Sequence, residues 1–486
     1  MKKKAHELHE LTRMKDNVLD MFYKKGLPPL EQLQRMIAEP LKSAGDFSEI
    51  YIEDLVSRSY RLSERIISDI SSTYVTGAGI RVLRGNNTGY SYTEDLSRES
   101  ILKCLGDASE IAGSAKTFKV HNPGKKHNLY DIAASVYDPP DAKIELLKRA
   151  EARAFSICPL VEKVEAHLLE NNKITLVINS RGVVAWDIRP MLTFGVTVIL
   201  KKGAAREGAY EGGGGRVSLD WFKKRTPEQI AVKAVHQALV LLDAKPAPAG
   251  EMEVILGAGD SGILLHESIG HPLEADFNYR GSSAFSGRIG EKVAADQCTI
   301  VDQGDLPNER GSLNIDDEGN ASGRSVLIEN GILKTYMYDL ITANHFQQPS
   351  FNGRRESFRE IPMPRMTNTF MMAGKYSEEE IIKSVKKGVY AKSFSGGQVD
   401  ITSGDFVFSI TEGYLVENGK ISCPIKGATL IGNGPEILKR VRMVGNTLVI
   451  SEGKWTCGKE GQSVAVGVGL PTVKLSHITV GGTQNG

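Results

Sequence analysis

The sequence predicts an α+β fold: an N-terminal α/β region with antiparallel sheets and flanking helices, then a mostly antiparallel β domain carrying a short His/Glu-bearing helix. Three observations carry this expectation. Polar and apolar residues alternate in short runs, as in Ser48-Glu-Ile-Tyr-Ile-Glu-Asp54. Asn-Gly pairs at Asn330-Gly331 and Asn418-Gly419 follow such runs and are strong hairpin signals. Helical spacing returns between the runs, and a Pro/Ala seam, Ala244-Lys-Pro-Ala-Pro-Ala-Gly250, divides the chain.

Taken in order, residues 7–43 read as helices broken at Gly26-Leu-Pro-Pro29. His6 and His9 there fit an exposed polar face better than a metal site. A meander follows: Ser48–Asp54, a less regular run Tyr60–Ser68, then Gly77–Arg84, a turn at Gly85-Asn-Asn87, and Thr88–Tyr92. Residues 95–117 return to helical spacing. Turn-rich stretches at Asn122–His127 and Asp138–Asp141 lead to a helix over Ala142–Cys158. The second meander comprises Val161–Leu169, a turn at Asn171-Asn172, Ile174–Asn179, a turn at Arg181-Gly182, Val183–Ile188 and Thr193–Leu200. The glycine run Ala209–Arg216 has no following Lys-Ser/Thr and no GxGxxG frame, so it reads as a mobile or tightly packed loop, not a phosphate site. A helix over 227–243 closes this half. The domains expected are 1–135, 136–245 and 249–486. In the last, a strand over Glu251–Gly257 precedes helices near 262–271, 339–345, 377–387 and 433–440.

Composition removes several function classes. A formal net charge of +1 over 486 residues gives no support for nucleic-acid binding through a basic surface. The longest apolar runs, such as Leu192–Leu200, fall far short of the roughly 20 residues a membrane span requires. The Met-Lys-Lys-Lys start lacks the apolar stretch of a signal peptide. Five cysteines, odd in number and scattered, point to a reduced compartment and hence the cytoplasm.

The chemistry concentrates at Ser261–His271, where an apolar run ends in His266, Glu267 and His271, an HExxxH pattern. Two imidazoles and a carboxylate this close suggest a metal with a built-in base. The zinc-peptidase HExxH helix has its second His one residue earlier. On a regular helix, positions i and i+4 sit roughly 40° apart, but i and i+5 roughly 140° apart. A straight helix therefore cannot aim both rings at one ion. Gly270 and Pro272 flank His271, so the helix is expected to distort or end at Gly270 and swing His271 back towards His266.

A catalytic zinc usually has three protein ligands and one open position. The third ligand is open at this point among Glu274, Asp276, Cys298, His345, Cys423, Cys457 and His477. Cys457 is favoured by its glycine-flanked setting, Trp455-Thr-Cys-Gly-Lys-Glu-Gly-Gln462.

Several stretches together resemble the TldD/PmbA family of zinc peptidases: His266-Glu-Ser-Ile-Gly-His-Pro-Leu-Glu-Ala-Asp-Phe277, Arg354–Arg359 through Pro364–Phe370, Ser403-Gly-Asp-Phe406, and Cys457–Gln462 followed by Val466–Thr472 and Val480-Gly-Gly482. The likeness runs from about Asp46 to the C-terminus and is nearest the TldD branch, which keeps HExxxH. Pro272 stands where a small flexible residue is usual, and the Lys-rich leader before residue 15 looks like an extension.

The resemblance implies a zinc metallopeptidase in which His266, His271 and Cys457 bind Zn2+ and Glu267 is the general base. It implies small or unfolded peptides as substrates, and a homodimer or a heterodimer with a TldE/PmbA-like subunit. Arg280, Arg354, Arg355 and Arg365 are candidates to bind a peptide carboxylate, with Arg280 and Arg354 preferred. Two other readings stand beside this one: a non-catalytic peptide-binding or scaffold subunit of a TldD–TldE-type complex, and a metallohydrolase acting on small amides.

Overall fold

The computed structural model describes residues 15–42, 46–85, 87–112, 127–131 and 138–483. The expectations for His6, His9, the Lys-rich leader and the stretch 113–126 lie outside these residues. Helix α1 (15–23) is followed by the expected break and by α2 (Leu30–Lys42). Six strands then form one fully antiparallel sheet: β1 (Phe47–Ser63), β2 (Ile66–Arg84), β3 (Asn87–Thr93), β4 (Val161–Asn179), β5 (Val184–Lys202) and β6 (Ala205–Gly215), in the order β3-β2-β1-β4-β5-β6. The stretches expected as separate units thus contribute three strands each to a single sheet.

These strands are longer than the sequence suggests: Val183–Ile188 and Thr193–Leu200 merge into β5, and the extra length changes three further expectations. Ser48–Asp54 and Tyr60–Ser63 are one strand, which turns at Glu64-Arg65 with both residues at positive φ (54° and 67°), a hairpin turn made without glycine. Asn171-Asn172 is no turn: β4 runs straight through, pairing with β1 on one side and β5 on the other. The glycine run is no loop: it is edge strand β6, paired along its length with β5.

One sheet face explains the polar residues in mid-strand. Helices α1, α2 and α3 (Arg98–Ala112) cover one end of it, around Ile50, Ile52, Ala78 and Ile178. Helices α4 (Pro140–Ile157) and α5 (Pro227–Leu242) cover the other end, around Leu62, Val164 and Phe194. Between the two apolar patches lies a seam of paired charges, Lys25–Asp54 and Lys143–Glu170. Asn172 sits on this face beside the seam, opposite Val56.

In the C-terminal half, Lys387–Val399 pairs both with Gly250–Leu256 and with Asp405–Glu417, so the main sheet closes on itself. A second sheet contains Ile300–Gln303, Asn368–Met371 and Gly467–Leu470. Both Asn-Gly hairpins form as expected. The HExxxH segment packs between the two sheets, against Asn368–Met371 on one side and Lys387–Val399 on the other. Buried ion pairs join the halves of the chain: Arg355 Nη2 is 2.6 Å from Glu49 Oε1, and Arg81 Nη2 is 2.8 Å from Glu318 Oε1.

Candidate metal centre

The strand Gly250–Leu256 delivers the chain into a tight turn and a single α-turn, Gly262–Leu265. A Cβ on Gly262 would stand 2.6 Å from the Gly469 nitrogen, so only glycine permits this approach to the second sheet. From His266 to Gly270 the backbone widens into a π-turn, and the His271 N–H donates to the His266 carbonyl. When each N–H reaches back five residues, about 4.4 residues complete a turn, and positions i and i+5 come onto one face. The distortion therefore falls where expected, but the helix expands rather than ends. Pro272 then opens a 3-10 turn, His271–Leu273.

The rings of His266 and His271 lie 5.1 Å apart, centroid to centroid, with their planes at 81°. Cys457 comes from a separate hairpin, Thr456–Lys459 paired with Gln462–Ala465. Its Sγ is 3.4 Å from His271 Nε2, and one donor atom from each of the three residues lies within 4.8 Å of the others. Tetrahedral zinc with Zn–N near 2.0–2.1 Å and Zn–S near 2.3 Å would set such a pair about 3.5 Å apart. His266 is 1% exposed, and both its ring nitrogens lack a hydrogen-bond partner among the described residues. Buried polar atoms without partners are costly, and a cation between the three side chains would satisfy them. Two nitrogens and a sulfur in this spacing thus fit zinc.

The charges around the site agree. Burial alone would push the Cys457 thiol up, but His266 and His271 outweigh it and hold the thiol well below its ordinary value. Burial likewise opposes charge on His271, yet the Glu274 carboxylate and Cys457 raise it well above its usual value. Glu274 is fully buried, and Lys459, His271 and Arg365 hold its carboxyl down at about 2. Glu274 Oε2 is 2.9 Å from His271 Nδ1 and 3.1 Å from Lys459 Nζ. Lys459 also donates to Asp276 Oδ1 at 2.7 Å. Arg365 is completely buried and donates through Nη2 to the Cys457 carbonyl at 2.7 Å and to its sulfur at 3.1 Å. Lys459 was not singled out from sequence. It stands two residues after Cys457, so hairpin alternation turns both side chains to the same side.

Glu267 sits at the rim. Its side chain is 22% exposed, with Oε2 3.8 Å from His271 Nε2. The other candidates lie elsewhere or are otherwise engaged. Asp276 is tied to Lys459. The Cys298 thiol points to the Leu438 carbonyl, and burial pushes it up to about 12. His345 packs edge-on to Tyr279 and Phe346. Cys423 is half-buried on Lys420–Lys426, and His477 is exposed. Arg280 is exposed, 3.7 Å from Glu460. Arg354 is 3% exposed and donates to the carbonyls of Met366 and Ala465, which makes it a brace between the strands of the site. Arg355 is spent on the Glu49 pair and the Asp317 carbonyl.

Family models described as PmbA/TldA metallopeptidase domain 1, central domain and C-terminal domain match residues 48–112, 137–242 and 249–482. The chain is 44% identical over 452 residues to the metalloprotease TldD homolog of Haemophilus influenzae, covering 90% of this chain and 93% of that one. It is 28% identical to the zinc metalloprotease TldD homolog of Saccharolobus solfataricus, over 90% of this chain and 96% of that one. The crystal structure of TldE from Thermococcus kodakarensis shares the fold, with a TM-score of 0.75 at 19% identity, over 92% of this chain and 99% of that one. With all three domains matched in order around an HExxxH turn and a distant cysteine, the chain belongs to the PmbA/TldD metallopeptidase family.

Proposed function

We propose that the protein is a zinc-dependent peptidase acting on small or unfolded peptides. The observation that carries this reading is the convergence of His266, His271 and Cys457 within 4.8 Å, with Glu267 at the exposed rim. The three side chains would hold Zn2+; when bound, it lowers the pKa of a coordinated water to about 7 and polarises the scissile carbonyl. Glu267 takes the proton of the attacking water and passes it to the leaving amine. Glu274 fixes the His271 ring so that Nε2 faces the sulfur, and Arg365 and Lys459 anchor the hairpin that carries Cys457. Arg280, free of burial, is placed by this reading at the peptide's carboxylate end.

The name of the Saccharolobus relative supports zinc, and those of the relatives in general support a protease. The likeness to TldE supports a dimer, of two copies or with a TldE/PmbA-like subunit. Five free cysteines among the described residues support a cytoplasmic location. No described helix is long and apolar enough to cross a membrane.

The test is purification with metal quantification, mass measurement of the intact complex, and digestion of a mixed peptide pool. One zinc per chain with metal-dependent cleavage supports the proposal. A metal-free protein that binds peptides without cutting them supports the scaffold reading instead. An uncut pool beside turnover of a small amide supports the amidase reading.

A further inference from the structure

A cavity of about 590 Å³ opens between the edge strand β6 and the closed sheet, and the mechanism above does not use it. Its lining includes the apolar side chains of Phe394 and Ile410, which are buried, and of Leu241 and Trp455, with the exposed Tyr210 beside them. Tyr210 lies over Gly195 and Gly212, where any Cβ would stand 2.5 Å from its ring or hydroxyl, and it stacks on His167 at 8°. The aromatic wall on this side is therefore set by two glycines beneath it.

Trp455 links the cavity to the metal centre. Its carbonyl accepts from Val466 N, which extends the Cys457 hairpin by one residue pair. Trp455 immediately precedes the strand that carries Cys457, so one hairpin supplies both a wall of the cavity and a candidate ligand. The indole Nε1 donates to Ser451 Oγ, which bonds to Asp260 at the start of the turn leading to His266. The same wall is tied to both segments that supply metal-ligand candidates.

The charged residues at the mouth are already neutralised. Lys426 pairs with Glu207, Lys454 with Asp260, and Glu412 with Lys392. A ligand entering here meets apolar side chains and, among the described residues, charges that are already paired.

We propose that this box is the subsite that receives a large apolar side chain, aromatic or aliphatic, of the peptide substrate next to the scissile bond. This rests on the peptidase reading, and the test separates the two. Peptides of one length, alike except for Phe, Leu, Ala, Ser or Glu at a single walked position, are titrated against the Glu267→Gln protein. Binding is followed by tryptophan fluorescence with Trp455→Phe as the control. In parallel, the wild-type protein digests a peptide pool and the cut sites are mapped by mass spectrometry.

The expected result is at least about tenfold tighter binding of Phe and Leu peptides than of Ala or Glu peptides at one position. That position keeps a fixed offset from the cut. Ser395→Trp, at an exposed place on the cavity lining, abolishes the preference while leaving Ala peptides unaffected; Tyr210→Ala broadens it. A preference unchanged by both substitutions, no preference at all, or no peptide binding overturns the subsite. Cleavage without preference leaves the peptidase standing and removes the box. Selective binding that Ser395→Trp abolishes, with no cleavage, does the reverse.

Discussion

Glu274 Oε2 lies 2.9 Å from His271 Nδ1, within a single short turn. Because Glu274 is held ionised and can only accept, Nδ1 carries the hydrogen and Nε2 is left to face Cys457. Such a carboxylate behind a ligating imidazole fixes the ring and raises its basicity. Glu274→Gln is therefore expected to weaken zinc binding about 10- to 100-fold with the fold intact, as read by chelator competition.

Glu267 and Cys457 should separate cleanly. Glu267→Gln is expected to keep its zinc and lose about 10²- to 10⁴-fold in turnover. Cys457→Ala and His271→Ala are expected to lose the metal as well. Metal content measured beside peptide cleavage decides this: full activity in Glu267→Gln would remove it as the base.

Gly270 is the tightest point of the π-turn. A Cβ there would stand 2.0 Å from the sulfur of Met366, which is fully buried. Gly270→Ala is expected to cost about 1–3 kcal/mol in denaturant melts and to lower zinc affinity, because relief of the clash must shift the His266–His271 turn. Unchanged affinity would show that the turn yields without moving its rings.

Stability should depend on pH through Glu309. Burial raises its carboxyl from the ordinary 4.5 to about 7. Below pH 4.5 both folded and unfolded chains hold the proton. Between 4.5 and about 7 the unfolded chain has released it and the folded chain has not, so stability falls as pH rises; above 7 the loss is complete. Glu309→Gln is expected to leave stability at pH 4 unchanged and to raise it by about 1–3 kcal/mol at pH 8. Urea melts at the two pH values measure the difference, and an equal effect at both would refute the assignment.

Two arginines differ in kind. Arg355 has no exposed side-chain surface and pairs with Glu49 across the two halves of the chain. Its removal leaves Glu49 with Arg81 alone, 3.0 Å away, and Arg355→Ala is expected to cost about 1–3 kcal/mol. Arg280→Ala, at an exposed pair, is expected to change stability by less than about 1 kcal/mol. If it binds the peptide carboxylate, KM rises without a change in melting temperature.

Much of this was legible in the residues. HExxxH with Gly270 and Pro272 around its second histidine pointed to a helix that could not stay regular, and the hairpins at Asn330 and Asn418 announced themselves. What escaped notice depended on context. Met366 lies against Gly270, a contact between distant segments that no local pattern shows. Asn171-Asn172 read as a turn because the pair is polar, yet it marks the gap between two helix layers on one sheet. Glu274 was weighed as a ligand; its distance to Nδ1 makes it a support for one, and no spacing rule distinguishes these roles.

Arg310 carries a wider consequence. It donates to Thr193 in the six-stranded sheet at 2.8 Å, and to the carbonyl of Trp455 at 2.8 Å in the hairpin that bears Cys457. The thiolate is thus moored from across the molecule, by a strand that precedes the Pro/Ala seam. A fragment beginning after that seam would possess every donor atom and the Arg365 bonds to Cys457, yet lose the strand that holds Arg310 in place. Shuffling these modules between relatives would have to exchange Thr193 and Arg310 together, or leave this mooring one hydrogen bond short.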